Sequence, residues 1–125
     1  MKILVVDDSA AIRERLVTLL RDIDGVDGVI ETESGDRAID LSRSAQPDFV
    51  ILDLNLVGQS GLEVLPSLKE LLKAPTVVVL TNHSGDAYAN RCLQLGADYF
   101  FDKSKQFMTA IDVVRSAVKA RAQSS

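Results

Sequence analysis

The sequence predicts one α/β domain, a five-stranded parallel sheet doubly wound with helices on both faces. Three observations carry this reading. Five short runs of Val, Ile, Leu and Phe punctuate the chain, and most are continuous rather than alternating, as strands buried on both faces are. A helical apolar pattern follows each run. Short loops join the two kinds of segment, which implies parallel strands connected by right-handed crossovers.

The predicted strands are 3–6, 26–31, 49–52, 77–80 and 97–101. After the first, Ile12, Leu16, Leu19, Leu20 and Ile23 form one apolar stripe at helical spacing. After the last, Phe107, Ile111, Val114 and Val118 repeat the same steps. Ser9, Ser34, Ser60, Ser84 and Ser104 each precede a helical segment in N-cap position. Glu63, three residues after Ser60, completes a capping box. Pro66 sits inside the third helical pattern, where its missing N–H should kink the helix or delay its start. The core is expected over about residues 2–119 of the single domain 1–125, with 120–125 as a fraying tail.

Composition narrows the function classes. Of 125 residues, 46% are hydrophobic and 26% charged, which excludes collagenous, disordered and disulfide-scaffold chains. A net charge of −4 argues against a protein that coats nucleic acid. Cys92 has no partner for an internal disulfide, which fits a reducing compartment. The four-residue apolar run before Asp7 is too short for a signal peptide, and no run is long enough to span a bilayer. A soluble, cytoplasmic protein without membrane insertion is expected.

In an open parallel sheet, ligands bind beyond the carboxyl ends of the strands. The first predicted strand ends in Asp7-Asp8, the third in Asp53-Leu54-Asn55, the fourth in Thr81-Asn82-His83 and the fifth in Asp102-Lys103. The second ends in Glu31-Thr32-Glu33, at the margin. Each piece alone reads as an ordinary turn, cap or surface charge, and a salt bridge to Lys103 is the plain structural alternative for Asp53. Their gathering at one edge is what points to chemistry. Clustered carboxylates repel, and a hard divalent cation such as Mg²⁺ resolves the conflict with oxygen ligands. Asp8, Asp53 and a backbone carbonyl just after Asp53 offer three positions, with Asp7 acting through water. Thr81 and Lys103 suit phosphoryl oxygens. Asp53, in the centre, is the natural acceptor for an aspartyl-phosphate.

These motifs resemble the receiver domain of bacterial two-component response regulators, of the stand-alone chemotaxis-receiver kind. Those that carry the resemblance are Ile3-Leu4-Val5-Val6-Asp7-Asp8, Val50-Ile51-Leu52-Asp53-Leu54-Asn55-Leu56 with Gly61, Val79-Leu80-Thr81 and Asp102-Lys103. The resemblance implies the flavodoxin-like strand order 2-1-3-4-5. It implies that Asp7 and Asp8 position Mg²⁺ (or Mn²⁺ as substitute), that Asp53 is the phosphoacceptor, and that the Asn55 carbonyl ligates the metal. Thr81 matches the switch hydroxyl, Lys103 the phosphoryl-pairing lysine and Phe100 the aromatic switch position. The implied phosphodonor is a phosphohistidine on a sensor histidine kinase or a histidine phosphotransfer protein. Output is expected through the fourth helix, fifth strand and fifth helix toward a downstream protein target, without direct nucleic-acid binding, and with homodimerisation on phosphorylation.

Three positions depart from the family pattern. Val57 and Ser104 stand where many members have Pro; the first is expected to loosen the loop after Asp53, the second to cap the last helix. His83 lies two residues beyond Thr81, where it is a candidate modulator of dephosphorylation. Rival readings are a phosphohydrolase of the haloacid dehalogenase type, a non-phosphorylated interaction module and a nucleotide-binding protein. The first lacks its second Asp, replaced by Asn55. The second would be favoured by loss of an acceptor or ligand residue, and none is lost. The third lacks any phosphate-binding glycine motif.

Overall fold

The computed structural model describes residues 1–83 and 85–123. In chain order the elements are β1 (Lys2–Val6), α1 (Ala10–Arg21), β2 (Gly28–Thr32), α2 (Gly35–Ala45), β3 (Phe49–Leu52), α3 (Gly61–Lys69), β4 (Thr76–Thr81), α4 (Asp86–Gln94), β5 (Tyr99–Asp102) and α5 (Phe107–Gln123). The strands form one sheet in the order β2-β1-β3-β4-β5, and every pairing is parallel. This is the flavodoxin-like order that the resemblance implies.

Alternate residues of the three inner strands feed two separate cores, one on each face. Ile3, Val5, Ile51, Val78 and Leu80 pack with Leu16 and Leu20 of α1 and with Ile111 and Val114 of α5. Leu4, Val6, Val50, Leu52, Val77 and Val79 pack with Ala38 of α2, Val64, Leu65 and Leu68 of α3, and Cys92 of α4. Burial on both faces explains why these strands read as continuous apolar runs. Truncating a fully buried Leu20 or Leu65 to Ala would cost about 2–5 kcal/mol.

Local chemistry sets the element ends. Ser9, Ser34 and Ser60 cap α1, α2 and α3, accepting from the backbone N–H of Ile12, Arg37 and Glu63. Ser104 does not cap α5: it lies in the turn after β5, where its N–H and hydroxyl both donate to Asp102 Oδ1, and α5 begins only at Phe107. Ser84 lies outside the described residues; among those described, no side chain caps α4, which starts after Gly85. Neither Pro66 nor its missing donor delays α3, which starts at Gly61 and ends three residues beyond the proline. α5 continues to Gln123, past the expected tail start, and Arg121 pairs with Asp48 at 3.3 Å.

β2 and β5 start later than predicted, the first because of its strand register and the second because of the end of α4. β2 begins at Gly28 because its register on β1 begins at Lys2, and Val26 instead donates to the Ile23 carbonyl in a turn. β5 begins at Tyr99 because Ala97 and Gly96 close α4, donating to the carbonyls of Cys92 and Leu93. Gly96 has φ +107°, the left-handed conformation such a helix end needs. Among the described residues, no helix is long and apolar enough to cross a membrane.

Candidate functional site

The sheet order sets β1, β3, β4 and β5 side by side, so their carboxyl ends form one edge. Val6 is registered with Leu52, which makes Asp7 and Asp53 neighbours. Thr81 is registered with Asp102, immediately before Lys103. Asp7, Asp53, Thr81 and Lys103 are all buried, with exposures of 2%, 3%, 0% and 9%. Asp8, one residue beyond Asp7, is exposed.

Lys103 reaches across the edge. Its Nζ stands 2.7 Å from Asp7 Oδ2 and 2.9 Å from Asp53 Oδ2. The salt bridge to Asp53 is therefore present, and it is shared with Asp7. Burial pushes the Asp7 carboxyl above its usual range, outweighing its hydrogen bonds from Lys103 and the Ser9 N–H. Burial alone would drag the Lys103 ammonium down, but its hydrogen bonds and attraction to Asp7 and Asp53 outweigh that and hold it up.

Backbone contacts fix the acceptor. The Asp53 N–H donates to the Val6 carbonyl, and the Leu54 N–H donates to Asp53 Oδ1 at 2.7 Å. Gly61, first in α3, presses against this segment: a Cβ there would lie 2.3 Å from the Asp53 carbonyl oxygen and 2.7 Å from Leu54 Cα. Only glycine permits that approach.

Carboxylate oxygens of Asp7, Asp8 and Asp53 lie within 4.8 Å of one another. Three carboxylates against one ammonium leave an excess of negative charge, and all the donors are hard oxygens. This set fits Mg²⁺ and not a soft metal.

Asn55 is exposed, and its Oδ1 is 2.9 Å from His83 Nε2. The His83 N–H donates to the Thr81 hydroxyl at 3.2 Å, and its ring lies 5.4 Å from that of Tyr88. His83 thus joins the loops after β3 and β4. Phe100 is half-buried and packs against the core on the α2, α3 and α4 side. Its register with Val79 places it on the same sheet face as Thr81. Tyr99 and Phe101 stack on the opposite face at 5.9 Å.

Two features escaped the sequence reading. Val57 does not loosen its loop: its N–H donates to the Glu33 carbonyl and its carbonyl accepts from the Gly35 N–H, each at 3.0 Å. This parallel bridge with Ser34 ties the acceptor loop to the start of α2. Arg13, in the first turn of α1, donates through Nη1 to the Asp7 carbonyl at 2.8 Å and through Nε to Glu31 Oε1 at 3.0 Å. The signal available was its place four residues after the capping Ser9.

The chain matches the response regulator receiver domain family over residues 3–115. It is 42% identical over 102 residues, 82% of this chain and 49% of the relative, to a Pseudomonas aeruginosa protein carrying a transcriptional-regulator name. Response regulator GacA of Pseudomonas aeruginosa is 30% identical over 115 residues, 92% of this chain and 54% of that protein. The solved structure of a two-component response regulator of the LuxR family from an Aurantimonas species has a TM-score of 0.84 at 27% identity, covering 95% of this chain and 85% of that chain. The chain spans about half the length of the curated relatives it matches. The matched span contains every residue of the acidic edge, and with the fold it makes this chain a member of the response regulator receiver domain family, a signalling module.

Proposed function

We propose that the chain is a phosphoacceptor that takes a phosphoryl group onto Asp53 from a phosphohistidine. The observation that carries this reading is the Lys103 ammonium held between the buried carboxylates of Asp7 and Asp53. In the transfer, an Asp53 carboxylate oxygen forms the new P–O bond while the P–N bond to the donor imidazole breaks. The electron pair leaves on the imidazole nitrogen, which takes a proton from solvent. Asp7, Asp8, Asp53 and the Asn55 carbonyl would hold Mg²⁺, with Mn²⁺ as substitute; the cation neutralises charge on the phosphoryl oxygens.

Lys103 then exchanges a carboxylate oxygen for a phosphoryl oxygen, and the Thr81 hydroxyl turns toward a second one. His83, hydrogen-bonded to Asn55 beside the acceptor, modulates how long the phosphoryl group survives. Partners are a sensor histidine kinase or histidine phosphotransfer protein upstream and a protein target downstream, contacted through α4, β5 and α5. Self-association on phosphorylation would use the same face. The cytoplasm is the compartment where such donors act.

Incubation with acetyl phosphate and Mg²⁺, followed by intact mass measurement, tests the reading. One added phosphoryl group is expected in wild type and none in Asp53→Asn. Equal modification of Asp53→Asn would overturn the assignment.

A further inference from the structure

We propose that Arg13 is a positioning residue for the metal-binding acidic loop, and that Glu31 keeps it in that role; this rests on the Mg²⁺ reading above. The guanidinium is forked. Nη1 donates to the Asp7 backbone carbonyl at 2.8 Å, and Nε donates to Glu31 Oε1 at 3.0 Å. The side chain is 15% exposed, against 42% for Glu31, so the cation is largely withdrawn from water.

The carbonyl it grips belongs to the peptide unit that joins Asp7 to Asp8. Fixing that unit fixes the backbone entering Asp8, the exposed carboxylate of the trio. The other side of the same loop is already tied: the Asp7 N–H donates to the Thr32 carbonyl and the Ser9 N–H to Asp7 Oδ1. Arg13 adds a third tie to the loop, on the Asp7 carbonyl, and ligand preorganisation of this kind raises metal affinity.

Glu31 answers a second problem. An arginine bonded to the backbone of the Asp7–Asp8 loop and left without a carboxylate of its own is free to pair with the exposed Asp8 and compete with a cation. Asp8 is the exposed member and the accessible one. Glu31, at the end of the edge strand, takes the Nε–H instead and turns the guanidinium edge toward the carbonyl. The planar fork presents Nε and Nη1 to the two acceptors in fixed directions, whereas an ammonium is a compact point charge without that geometry.

The test is Mg²⁺ binding by titration calorimetry, without any phosphodonor, in wild type, Arg13→Gln, Arg13→Lys, Glu31→Gln and the double Arg13→Gln/Glu31→Gln. Arg13→Gln is expected to weaken Mg²⁺ binding about tenfold, the size of effect that orienting partners of metal ligands produce. Melting temperature in EDTA should hold nearly constant. Arg13→Lys should resemble Arg13→Gln, because the fork and not the charge is at work. Glu31→Gln should weaken binding while Arg13 is present, and the double variant should match Arg13→Gln alone, the coupling expected of two residues acting as a unit. Arg13→Lys binding like wild type would overturn the fork, and additive losses in the double variant would overturn the role of Glu31. If Arg13→Gln fails to fold, the Lys and Glu31 variants still decide. Wild type that binds no Mg²⁺ defeats the metal reading itself, whereas wild-type binding with unchanged variants defeats only the role of Arg13.

Discussion

One ammonium, that of Lys103, lies 2.7 Å from Asp7 Oδ2 and 2.9 Å from Asp53 Oδ2, so a single cation restrains two buried anions across three strand ends. The burden on each partner is unequal. Removing Asp53 leaves a matched Lys103–Asp7 pair; removing Lys103 leaves two buried carboxylates without their shared cation.

The first prediction follows from that inequality. In EDTA, Lys103→Ala should lose about 3–5 kcal/mol, the cost of leaving buried charge uncompensated. Asp53→Ala should be near neutral or stabilising in the same buffer. Added Mg²⁺ should stabilise wild type by about 1.4 kcal/mol at ten times its dissociation constant. Urea unfolding with and without Mg²⁺ measures all three, and a larger loss in Asp53→Ala than in Lys103→Ala would reverse the argument.

Gly61→Ala is the steric counterpart. The added Cβ meets backbone at 2.3 Å, the carbonyl oxygen of Asp53 itself, and not the yielding end of a side chain. The start of α3 must shift, at about 1–3 kcal/mol, the usual range for overpacking. The same shift displaces Asp53, so phosphorylation by acetyl phosphate should fall in parallel. A stable variant with wild-type phosphorylation would show that α3 does not brace the acceptor.

Asp48 carries a pH prediction far from the acidic edge. Burial alone would raise its carboxyl, but the Lys2 N–H with Lys73 and Arg121 reverses the sign and holds it below its usual value of 3.8. A depressed folded value means stability that is present above about pH 4 and lost as pH falls through the lower folded value. The stability difference between wild type and Asp48→Asn should therefore be constant near neutrality and shrink below pH 4. Acid titration of both proteins by circular dichroism reads it, and a difference that grows on acidification would contradict the sign.

The residues that were legible in advance are those whose neighbours in sequence dictate their surroundings. Asp7, Asp53, Thr81 and Lys103 each end a strand, so topology alone gathers them, and Ser9, Ser34 and Ser60 cap helices by local hydrogen bonds. Arg13 and Val57 were not legible because their partners, Glu31 of β2 and Glu33 just after it, lie far from them in sequence and meet them only after the sheet forms. Ser104 misled for a local reason: α5 starts only at Phe107, and in the turn before it the Asp102 carboxylate takes both the N–H and the hydroxyl of Ser104.

Val57 supports a prediction of its own. Val57→Pro restores the residue that many family members carry, yet here it deletes the N–H that donates to the Glu33 carbonyl. The expected loss is about 0.5–1.5 kcal/mol, one hydrogen bond. Hydrogen exchange at Gly35, whose N–H donates to the Val57 carbonyl in the same bridge, should quicken. Unchanged exchange at Gly35 would mean that the bridge does not hold the loop.

The last prediction concerns output through Thr81 and Phe100. The Thr81 hydroxyl accepts the His83 N–H at 3.2 Å and is buried, so it cannot turn toward a phosphoryl oxygen without leaving that bond and vacating its place. Phe100 shares its sheet face on the adjacent strand and is half-buried, packed on one side against the core. Phosphorylation should therefore shift Phe100 inward and remodel the surface that Tyr88 and Leu93 of α4 present. A partner senses this only through its different affinity for the two states, and coupling of this kind amounts to about 5–150-fold in binding. The experiment compares partner binding, or self-association, with and without phosphorylation in wild type, Thr81→Ala and Phe100→Leu. Thr81→Ala should still be phosphorylated yet lose most of the affinity change, and Phe100→Leu, which cannot present a ring in either position, should lose it too. Should Thr81→Ala keep the full affinity change while carrying the phosphoryl group, the hydroxyl is not the relay, and the signal leaves Asp53 by another route.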